Sequence, residues 1–529
     1  MYKIHQIKIK ITTPQEEYPR LLSKKINLRV SEIKDVKLIK RSIDARDKQN
    51  IHYSCSFLFD SNIDEEQFLK KVSKKLVSKV EEVEPIVYHQ TKQKIVIVGS
   101  GPAGLFTALT LLRGGNDVLI IERGESVKER KKTVETFFEK GILNPDSNIQ
   151  FGEGGAGTFS DGKLTTNINN ILIKDILEMF VEAGAPKEIL YEAKPHIGTD
   201  YLVKVVENIR NQIIDLGGKI LFNTKLTDIK ILDSKVKSIK VKQIDCIEEI
   251  DVDALVLAIG HSARDTYEML YKHQIELQQK VFAVGVRIEH PQAIINKQQY
   301  GDKFKDLLGA ADYKLAHHTK DNRGVYTFCV CPGGYVVASS SEEGHVVTNG
   351  MSEFARDGKN INSAVLVNVF PDDFDSDNPL EGIYFQRMLE KKAYELGGRD
   401  YSAPVSRLVD YLENKETTEL GEVSTTYKPN VKVANLNELF PEFINKALKE
   451  GLIAFGKKLS VFSLDDAVIT GVESRSSAPV RIVRDSNYQT NINGIYSIGE
   501  GAGYAGGITS SSLDGVKFAI SFMENNKKL

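Results

Sequence analysis

The chain has 529 residues, with 70 lysine and arginine residues against 72 aspartate and glutamate residues and a net charge of −2 at pH 7. This balance excludes a general electrostatic attraction to nucleic acid or to an anionic membrane surface. The four cysteines are too few for a disulfide framework, and no apolar signal segment follows the lysine-rich start. We therefore expect a cytoplasmic protein of roughly two to four domains, without a membrane span.

Residues 1–90 are predicted to form a small domain of their own. Isoleucines alternate with lysines in 7–11, which predicts a half-buried strand. The patterns that follow predict, in order, a helix, two paired strands, an amphipathic helix and a last strand, at 14–26, 38–45, 51–59, 64–80 and 84–89. This order of elements is that of a ferredoxin-like α+β domain.

The same segment raises the question of RNA binding, because RNA-recognition modules share this order and the segment has 18 basic against 13 acidic residues. In the strand at 51–59, however, the aromatic residues share the apolar face, which we expect to pack on the helices. A sheet that stacks on bases needs its aromatic residues on the open face. We therefore expect no nucleic-acid partner and predict a docking or regulatory domain.

The segment 94–124 contains the most informative pattern. A buried strand at 95–98 leads into Gly99, Gly101 and Gly104 in the spacing G-x-G-x-x-G, then a helix, then a second strand that ends at Glu122. Such glycines allow a tight turn, close approach of the backbone to a diphosphate, and close packing of helix on strand. The helix N-terminus favours an anion, and an acid at the position of Glu122 accepts hydrogen bonds from ribose hydroxyls. The pattern predicts a Rossmann-like site for a dinucleotide without a 2′-phosphate.

Three later segments suit the same ligand. Residues 151–166 combine glycines with hydroxyl, carboxylate and ammonium groups that can wrap phosphate and sugar oxygens, although a solvated loop is the alternative. Residues 221–229 and 253–260 are predicted strands. His261 follows the second strand at its carboxyl end, where α/β folds gather their ligands. It is predicted either as an acid–base residue or as a residue that starts a helix.

Residues 266–464 are predicted to form an inserted antiparallel α+β cap domain. Strand-like runs precede helical stretches without a repeated strand–helix rhythm, at 281–288, 324–330, 335–339, 364–369, 386–395 and 439–447. No second G-x-G-x-x-G follows a strand, so no dedicated NAD(P)H domain is expected. Ligand sites favour the interface between two domains, and NAD(P)H could still bind there transiently.

Two cysteines in the cap domain are candidates for chemistry. Cys329 and Cys331 flank one residue on a predicted strand, so they should point the same way. They are either a redox pair or two buried structural cysteines, and we favour the structural alternative because free cysteine is usually buried. Two cysteines are too few ligands for zinc, so no metal site is predicted. Lys163 is a further candidate, and a bidentate clamp on an anionic substrate could come from Arg287, Arg475 and Arg481. His317 and His318 are predicted to form a surface pair.

The segment 490–507 distinguishes between NAD and FAD. It reads T-x-x-x-G-hydrophobic-Tyr-x-x-Gly-Glu, ending at Glu500, and it resembles the C-terminal flavin motif of the glutathione-reductase-type FAD superfamily. In that superfamily the final acid, usually aspartate, binds the ribityl chain. Gly506 and Gly507 open a further predicted helix, whose N-terminus would stabilise the negative charge of reduced flavin. FAD is therefore the predicted cofactor.

Motifs throughout the chain after residue 90 resemble the uncharacterised FAD-dependent dehydrogenases related to aminoacetone-oxidase-like and geranylgeranyl-reductase-like flavoproteins. These motifs include GSGPAGLFTAL, FGEGGAGTFSDGKLTT, HIGTD, GHSARDT, GVRIEHP, FCVCPGGYVV, GVESRSSAPVRI and GEGAGYAGGITSSSLDG. The resemblance implies a fold and a cofactor but no substrate. It also implies that the strand near Leu226 contacts adenine through its backbone, and that 253–260 returns to the dinucleotide after a β-meander.

Together these patterns predict an α/β protein with a Rossmann-like, three-layer ββα FAD-binding domain in two pieces, at 94–265 and 465–529. The predicted function is an FAD-dependent oxidoreductase that transfers hydride between a small organic substrate and flavin N5. An NAD(P)H-using flavin reductase or monooxygenase, and a flavin-containing RNA-associated protein, are the alternatives. The predicted catalytic residues are His261, Lys163, Cys329 and Cys331. The predicted FAD-binding residues are Gly99, Gly101, Pro102, Ala103, Gly104, Glu122, Arg123, Gly154, Gly155, Thr158, Ser160, Asp161, Lys163, Leu226, Ala258, Gly260, Gly499, Glu500, Gly506, Gly507 and Ile508.

Overall fold

The structure is a computed structural model that describes residues 1–72, 76–80, 85–244 and 246–527. The N-terminal segment contains β1 (Tyr2–Lys10), α1 (Tyr18–Ile26), β2 (Ile33–Asp44), β3 (His52–Ser61), α2 (Glu65–Lys71) and β4 (Val77–Lys79). The next segment contains β5 (Ile95–Val98), α3 (Pro102–Arg113), β6 (Val118–Ile121), α4 (Val127–Lys140), α5 (Leu172–Glu182), α6 (Thr199–Asp215), β7 (Lys219–Leu221), β8 (Thr224–Leu232), β9 (Lys235–Gln243), β10 (Cys246–Asp251), β11 (Ala254–Leu257) and α7 (Arg264–Lys272).

The remaining elements continue in chain order to the end of the chain. They are β12 (Leu277–Gln279), β13 (Phe282–Pro291), α8 (Gln292–Phe304), β14 (Ala316–His318), β15 (Gly324–Cys331), β16 (Tyr335–Ala338), β17 (Thr348–Met351), β18 (Asn360–Val369), α9 (Glu381–Leu396), β19 (Ala403–Arg407), α10 (Leu408–Leu412), β20 (Val431–Val433), α11 (Glu442–Gly456), β21 (Val468–Glu473), β22 (Val480–Ile482), β23 (Ile495–Ser497) and α12 (Ile508–Asn525).

The N-terminal strands form an antiparallel sheet in the order β2–β3–β1–β4. The predicted helix at 64–80 is wrong in its length, because α2 ends at Lys71 and β4 pairs with Tyr2–Ile4 of β1. This pairing gives backbone partners to the outer edge of β1, which a longer helix could not provide. The strand predicted at 84–89 is also wrong for 85–89, which have no regular structure, while 81–84 lie outside the described residues.

The phenylalanines of β3 lie in the core of this segment. Phe57 and Phe59 are buried and contact Tyr18 of α1 and Phe68 of α2. Their side chains therefore face the helices, and these two rings are not on the open face of the sheet, where bases would stack.

The edge of the N-terminal sheet joins the next unit through Arg41 of β2. The amide of Arg41 donates to the carbonyl of Tyr191 at 2.6 Å, and the amide of Ala193 donates to the carbonyl of Arg41 at 2.8 Å. The Arg41 guanidinium binds the Glu192 carboxylate, with Nε to Oε1 at 2.8 Å, and lies over the rings of Tyr53 and Tyr191. Backbone pairing and a half-buried ion pair thus fix the N-terminal sheet on 191–193.

The central unit is built on a parallel sheet in the order β23–β11–β5–β6–β7. Alternate residues of β5 face opposite sides: Ile95 and Ile97 pack with α3 and α12, while Val96 and Val98 pack with the antiparallel meander β8–β9–β10. The chain therefore builds meander, sheet and helices as successive layers. The side chains of β5 and β11 are buried on both faces, as expected for central parallel strands.

The second large sheet has the order β14–β15–β18–β13–β21–β19–β20 in the described residues and is antiparallel except between β19 and β20. The predicted strands 281–288, 324–330 and 364–369 correspond to β13, β15 and β18. The predicted boundary at 465 placed β21 with the nucleotide-binding segment. In the structure β21 pairs with β13 and β19 of this second sheet.

A buried histidine in β13 gives the fold a pH dependence. His290 is fully buried against Phe462 and Tyr313, and burial lowers its pKa from 6.5 to about 3. Because the folded-state pKa lies below the unfolded value, protonation of His290 favours the unfolded chain. The fold keeps its full stability at pH values above 6.5 and loses free energy of unfolding as the pH falls from 6.5 toward 3. Between pH 7 and pH 5 we expect His290 to cost the fold about 2 kcal/mol. Urea unfolding at both pH values should show this difference shrinking in His290→Phe but unchanged in the exposed His318→Phe.

Candidate functional site

A cleft of about 350 Å³ lies between the parallel sheet and the second sheet. One wall is formed at the carboxyl ends of β5, β6 and β11 and at the N-termini of α3 and α12. The other wall comes from β15, β17 and β21, through Cys329, Asn349 and Glu473. Clefts of this size between structural units are typical of small-molecule sites.

The three glycines after β5 have different surroundings. Gly99 has φ +105°, and a Cβ there would lie 2.4 Å from the carbonyl oxygen of Ala258. A Cβ at Gly104 would lie 2.0 Å from the carbonyl oxygen of Gly99, so α3 packs directly on the turn. At Gly101 the nearest atom to a Cβ is the Gly155 Cα at 3.8 Å, and Gly101 borders the cleft. Gly99 and Gly104 are thus required by the fold, whereas Gly101 leaves open space at the helix N-terminus.

Glu122 is buried and its carboxylate is bonded to the protein. Oε2 accepts from the amide and the hydroxyl of Ser100 at 2.9 and 2.8 Å, and Oε1 accepts from the amides of Gly124 and Gly152 at 3.0 Å each. The predicted contact with ribose would therefore have to replace one of these bonds. In this structure Glu122 joins the glycine turn to the loop 151–166 and positions both beside the cleft.

We expect Glu122→Gln to lower both stability and flavin affinity. An amide NH₂ in place of one oxygen would face protein N–H donors, which should cost about 1–3 kcal/mol and weaken flavin binding about tenfold. Thermal unfolding and a flavin fluorescence titration would measure the two effects. Asp117→Asn, an exposed change just before β6, is the matched control and should alter neither the stability nor the flavin affinity. If both variants had the same stability and flavin affinity, Glu122 would not join the glycine turn to the loop as described.

Arg130 of α4 binds backbone carbonyls of the loop 151–166 and of the residues before it, a role that was not predicted from the sequence. Its guanidinium is fully buried and donates to backbone carbonyls of Asn148, Ile149, Glu153 and Gly155 at 2.6–3.0 Å. With these carbonyls turned inward, the loop can offer other groups to the cleft. A signal was present, because Arg130 lies on the same helix stripe as apolar residues 127, 134 and 137.

Two predicted residues of this loop lie behind the cleft wall. The Thr158 hydroxyl donates to the Glu153 carbonyl at 3.3 Å, and a Cβ at Gly154 would lie 2.1 Å from that hydroxyl oxygen.

Asp161 is buried and its carboxylate accepts from Ser352 and Arg356, which keeps its pKa below the usual value despite burial. Asp161 also borders the cleft.

The C-terminal segment contributes the opposite end of the same wall. Glu500, Gly506 and Gly507 border the cleft, and a Cβ at either glycine would meet no atom within 4 Å. Burial raises the pKa of Glu500 to about 7, while Lys280 opposes the shift. Gly499 does not border the cleft; its amide donates to Asp514 at 2.7 Å. The open glycines thus stand at the start of α12 and border the cleft, while the Gly506 amide donates to the Ser510 hydroxyl at 3.1 Å.

His261, Lys163 and Cys329 all border the cleft. The Nδ1 atom of His261 lies 2.9 Å from the hydroxyl of Ser262, which donates to Gln150 Oε1 at 3.0 Å. Burial lowers the pKa of His261 to about 3, with Arg475 and Arg264 adding to the effect, so its imidazole is neutral at physiological pH. The Lys163 ammonium donates to the carbonyl of Val330.

Two of the three arginines predicted as an anion clamp are structural. Arg287 is fully buried and binds the Glu473 carboxylate through Nε at 3.0 Å and Nη2 at 3.2 Å. Arg475 binds Glu390 through Nε and Nη2 at 3.1 and 2.8 Å. Arg287 does not border the cleft, which contradicts the clamp prediction for this residue. Arg475 does border it, although Glu390 already occupies its Nε and Nη2 donors. Arg481 lies over the Tyr504 ring, 5.0 Å from its centroid.

The predicted histidine pair divides between two environments. His317 is half-buried, with Nε2 at 3.1 Å from Glu450, and His318 is exposed.

The structure brings most of the predicted residues to one cleft. Those that border it are Gly99, Gly101, Pro102, Ala103, Glu122, Arg123, Gly155, Ser160, Asp161, Lys163, Leu226, Ala258, Gly260, His261, Cys329, Arg475, Glu500, Gly506, Gly507 and Ile508. Those outside its lining are Gly104, Gly154, Thr158, Gly499 and Cys331. Residues that border the cleft and were not predicted include Gln150, Asn349 and Glu473; they come from strands or loops whose approach depends on the whole fold.

The part of the chain that the structure describes has neither a metal-binding cluster nor a membrane-spanning helix. No group of three or more histidine, cysteine, aspartate or glutamate side chains there could hold a metal ion. Among the helices of residues 1–72, 76–80, 85–244 and 246–527, none combines the length and apolar character needed to cross a bilayer.

Comparison with family models assigns three parts of the chain. A model described as "FAD-dependent protein, C-terminal domain-like" matches residues 281–476, and one described as "FAD binding domain" matches residues 92–136. A third, described as a domain of unknown function, matches residues 1–60. The range 281–476 includes β21, which the structure also places in the second sheet.

A full-length relative and several solved structures are also similar. An uncharacterized protein of Clostridium beijerinckii is 46% identical over 534 residues, which cover 99% of this chain and 98% of the relative. A geranylgeranyl bacteriochlorophyll reductase-like protein of Thermoplasma acidophilum is 12% identical with a TM-score of 0.34, covering 83% of this chain and 80% of its own. The 3-ketosteroid-delta4-(5alpha)-dehydrogenase of Rhodococcus jostii RHA1 is 11% identical with a TM-score of 0.35, covering 83% and 97%. Such low values support no transfer of substrate or reaction.

Proposed function

Because this chain belongs to a family of FAD-dependent flavoproteins, we propose that it is an oxidoreductase whose FAD lies along the cleft and exchanges hydride with a small organic substrate. The observation that supports this proposal best is the meeting of two open glycine segments in one cleft. Gly101 stands at the start of α3, and Gly506 and Gly507 stand at the start of α12, with space beside each of them.

The residues present fit an extended dinucleotide. Gly101 and the first amides of α3 would receive the diphosphate, since a helix N-terminus attracts anions. Leu226 would lie near the adenine, and Glu500 near the ribityl chain. With a pKa near 7, the Glu500 carboxyl group can donate as well as accept a hydrogen bond. When bound, FAD supplies the acceptor for a hydride at N5.

His261 is the best-placed group to manage the proton that accompanies hydride transfer. Its imidazole is neutral because of burial, and the chain from Ser262 to Gln150 fixes the orientation of the ring. The neutral imidazole can accept a hydrogen bond from a substrate hydroxyl or amine at the cleft and so position the proton that is released as the hydride leaves. Lys163 is committed to the Val330 carbonyl and would hold the loop 151–166 against β15.

We assign the chain to three domains within this proposal. Residues 1–90 are a ferredoxin-like docking or regulatory domain, the segments around β5–β11 and β23–α12 are the FAD-binding domain, and the sheet from β13 to β21 is the cap. The substrate would enter between the last two, where NADH or NADPH would also bind transiently. Neither a metal nor a nucleic acid is part of this proposal.

The proposal is tested by anaerobic mixing of the FAD-loaded protein with small alcohols, amines, hydroxy acids, NADH and NADPH. A substrate should bleach the visible absorbance of oxidised flavin, and His261→Asn should slow bleaching at least hundredfold while FAD content stays full. Thr227→Val on the exposed side of β8 is the control and should bleach at the wild-type rate. Protein that takes up no FAD would refute the proposal.

A further inference from the structure

The two cysteines of β15 lie at a β-bulge. Phe328 pairs with Ala364 and the next pair is Cys331 with Asn362, so β15 has one extra residue there. Cys329 has φ +41°, a left-handed conformation that costs a residue other than glycine about 1–2 kcal/mol. In a straight strand, alternate residues lie roughly 6–7 Å apart. At this bulge the Cys329 and Cys331 Sγ atoms are 4.0 Å apart.

Two cationic side chains, each with a carboxylate beside it, contact the backbone of the pair. Arg287 donates through Nη1 to the Cys329 carbonyl at 3.1 Å, and the same atom lies 3.9 Å from the Cys331 Sγ. Lys163 donates to the carbonyl of Val330, between the two cysteines. The hydrogen bond from the Cys331 thiol, with Arg287 and Lys163, holds the pKa of Cys329 below its ordinary value, and the same bond and burial raise the pKa of Cys331. Of the two thiols, that of Cys329 is therefore the one that loses its proton more readily.

The two sulfur atoms are placed unequally. Cys329 is half-buried and borders the cleft, as does Lys163, whereas Cys331 is fully buried and does not border it. Two structural cysteines would be expected among apolar side chains. Here a strained backbone presents one thiol to the cleft and places a second thiol within reach of it. The sulfur atoms need to approach by only about 2 Å more to reach the S–S bond length.

We propose that Cys329 and Cys331 are a redox-active dithiol that closes to a disulfide and exchanges two electrons with the FAD of the cleft. This inference rests on the proposed position of FAD. In the step, the Cys329 thiolate sulfur forms a bond to the Cys331 sulfur as the Cys331 S–H bond breaks. The two electrons and the proton pass to oxidised FAD, giving the disulfide and the anionic reduced flavin. Atoms and charge balance without a further reactant.

The electron capacity of the protein tests this inference directly. We expect air-oxidised, FAD-loaded protein to take up four electrons per FAD in an anaerobic dithionite titration, two for the flavin and two for the disulfide. Cys331→Ser should take up two. Cys246→Ser, which changes an exposed cysteine of β10, is the matched control and should take up four. A wild-type capacity of two electrons with full FAD content would overturn the inference.

Counting thiols gives a second measure that needs no flavin. After denaturation, alkylation should modify two of the four cysteines in the oxidised protein and all four in the reduced protein. Four modified cysteines in oxidised, FAD-loaded protein would exclude the disulfide. Protein that binds no FAD would instead refute the proposed function, and with it the electron exchange between the cysteine pair and FAD. Thiol counts across a dithiothreitol redox buffer would then show whether the disulfide forms on its own.

Discussion

Gly101→Val should abolish FAD binding while leaving the fold intact. Gly101 has φ −73° and ψ −178°, an extended conformation that any residue adopts, and a Cβ there would meet only the Gly155 Cα at 3.8 Å. The valine methyl groups would therefore extend into the cleft at the N-terminus of α3. The diphosphate could no longer approach these amides, which should weaken FAD binding at least hundredfold, or by about 3 kcal/mol.

A graded series makes this prediction sharper. Gly101→Ala should weaken binding less than Gly101→Val, because its single methyl group fills less of the cleft. Both variants should unfold at the wild-type temperature, whereas Gly104→Val should fail to fold, since its Cβ would lie 2.0 Å from the Gly99 carbonyl oxygen. Flavin absorbance after gel filtration and thermal unfolding measure the two effects. A Gly101→Val protein that retains stoichiometric FAD would show that the ligand binds elsewhere.

The sequence predicted the nucleotide unit well because its signals are local. The strands at 95–98 and 118–121 have the predicted bounds, and they are short apolar runs that end at glycine or at an acid. The predicted helix between them begins at Pro102, directly after the glycine turn, because proline is well suited to a first helical position. Burial of such strands on both faces leaves little freedom for another register.

The sequence predicted less where a residue's role depends on distant partners. The short β4 exists because β1 needs a partner, and β21 joins the second sheet through pairing with β13. The acid at Glu122 has the expected position, yet its oxygens bond to amides brought there by a loop thirty residues away. The Cys329–Cys331 geometry depends on one extra residue opposite β18, and no spacing along the chain indicates such a bulge.

The ion-pair cluster behind the cleft should be the most sensitive polar element of the fold. Glu390 of α9 is fully buried, and its carboxylate accepts from Arg264 at 2.8 and 2.7 Å, from Arg475 at 3.1 and 2.8 Å, and from Ser474 at 2.6 Å. Arg264 begins α7, directly after the cleft segment that contains His261, and Arg475 follows β21. The cluster therefore fastens the end of the parallel sheet to the second sheet.

Glu390→Ala should lower the free energy of unfolding by about 3–5 kcal/mol, because two buried guanidinium groups would lose their shared counter-charge. Glu342 also binds Arg264 and Arg387 but is a quarter exposed, so it can compensate only in part. Glu390→Gln keeps the shape of the side chain and loses its charge, so its free energy of unfolding should lie between those of the wild type and Glu390→Ala. Glu395→Ala removes an exposed partner of Arg399 on the same helix and should change the unfolding energy by less than about 1 kcal/mol. Urea unfolding of the wild type and the three variants measures these differences. Equal stability of Glu390→Ala and Glu395→Ala would mean that the cluster does not hold the two sheets together.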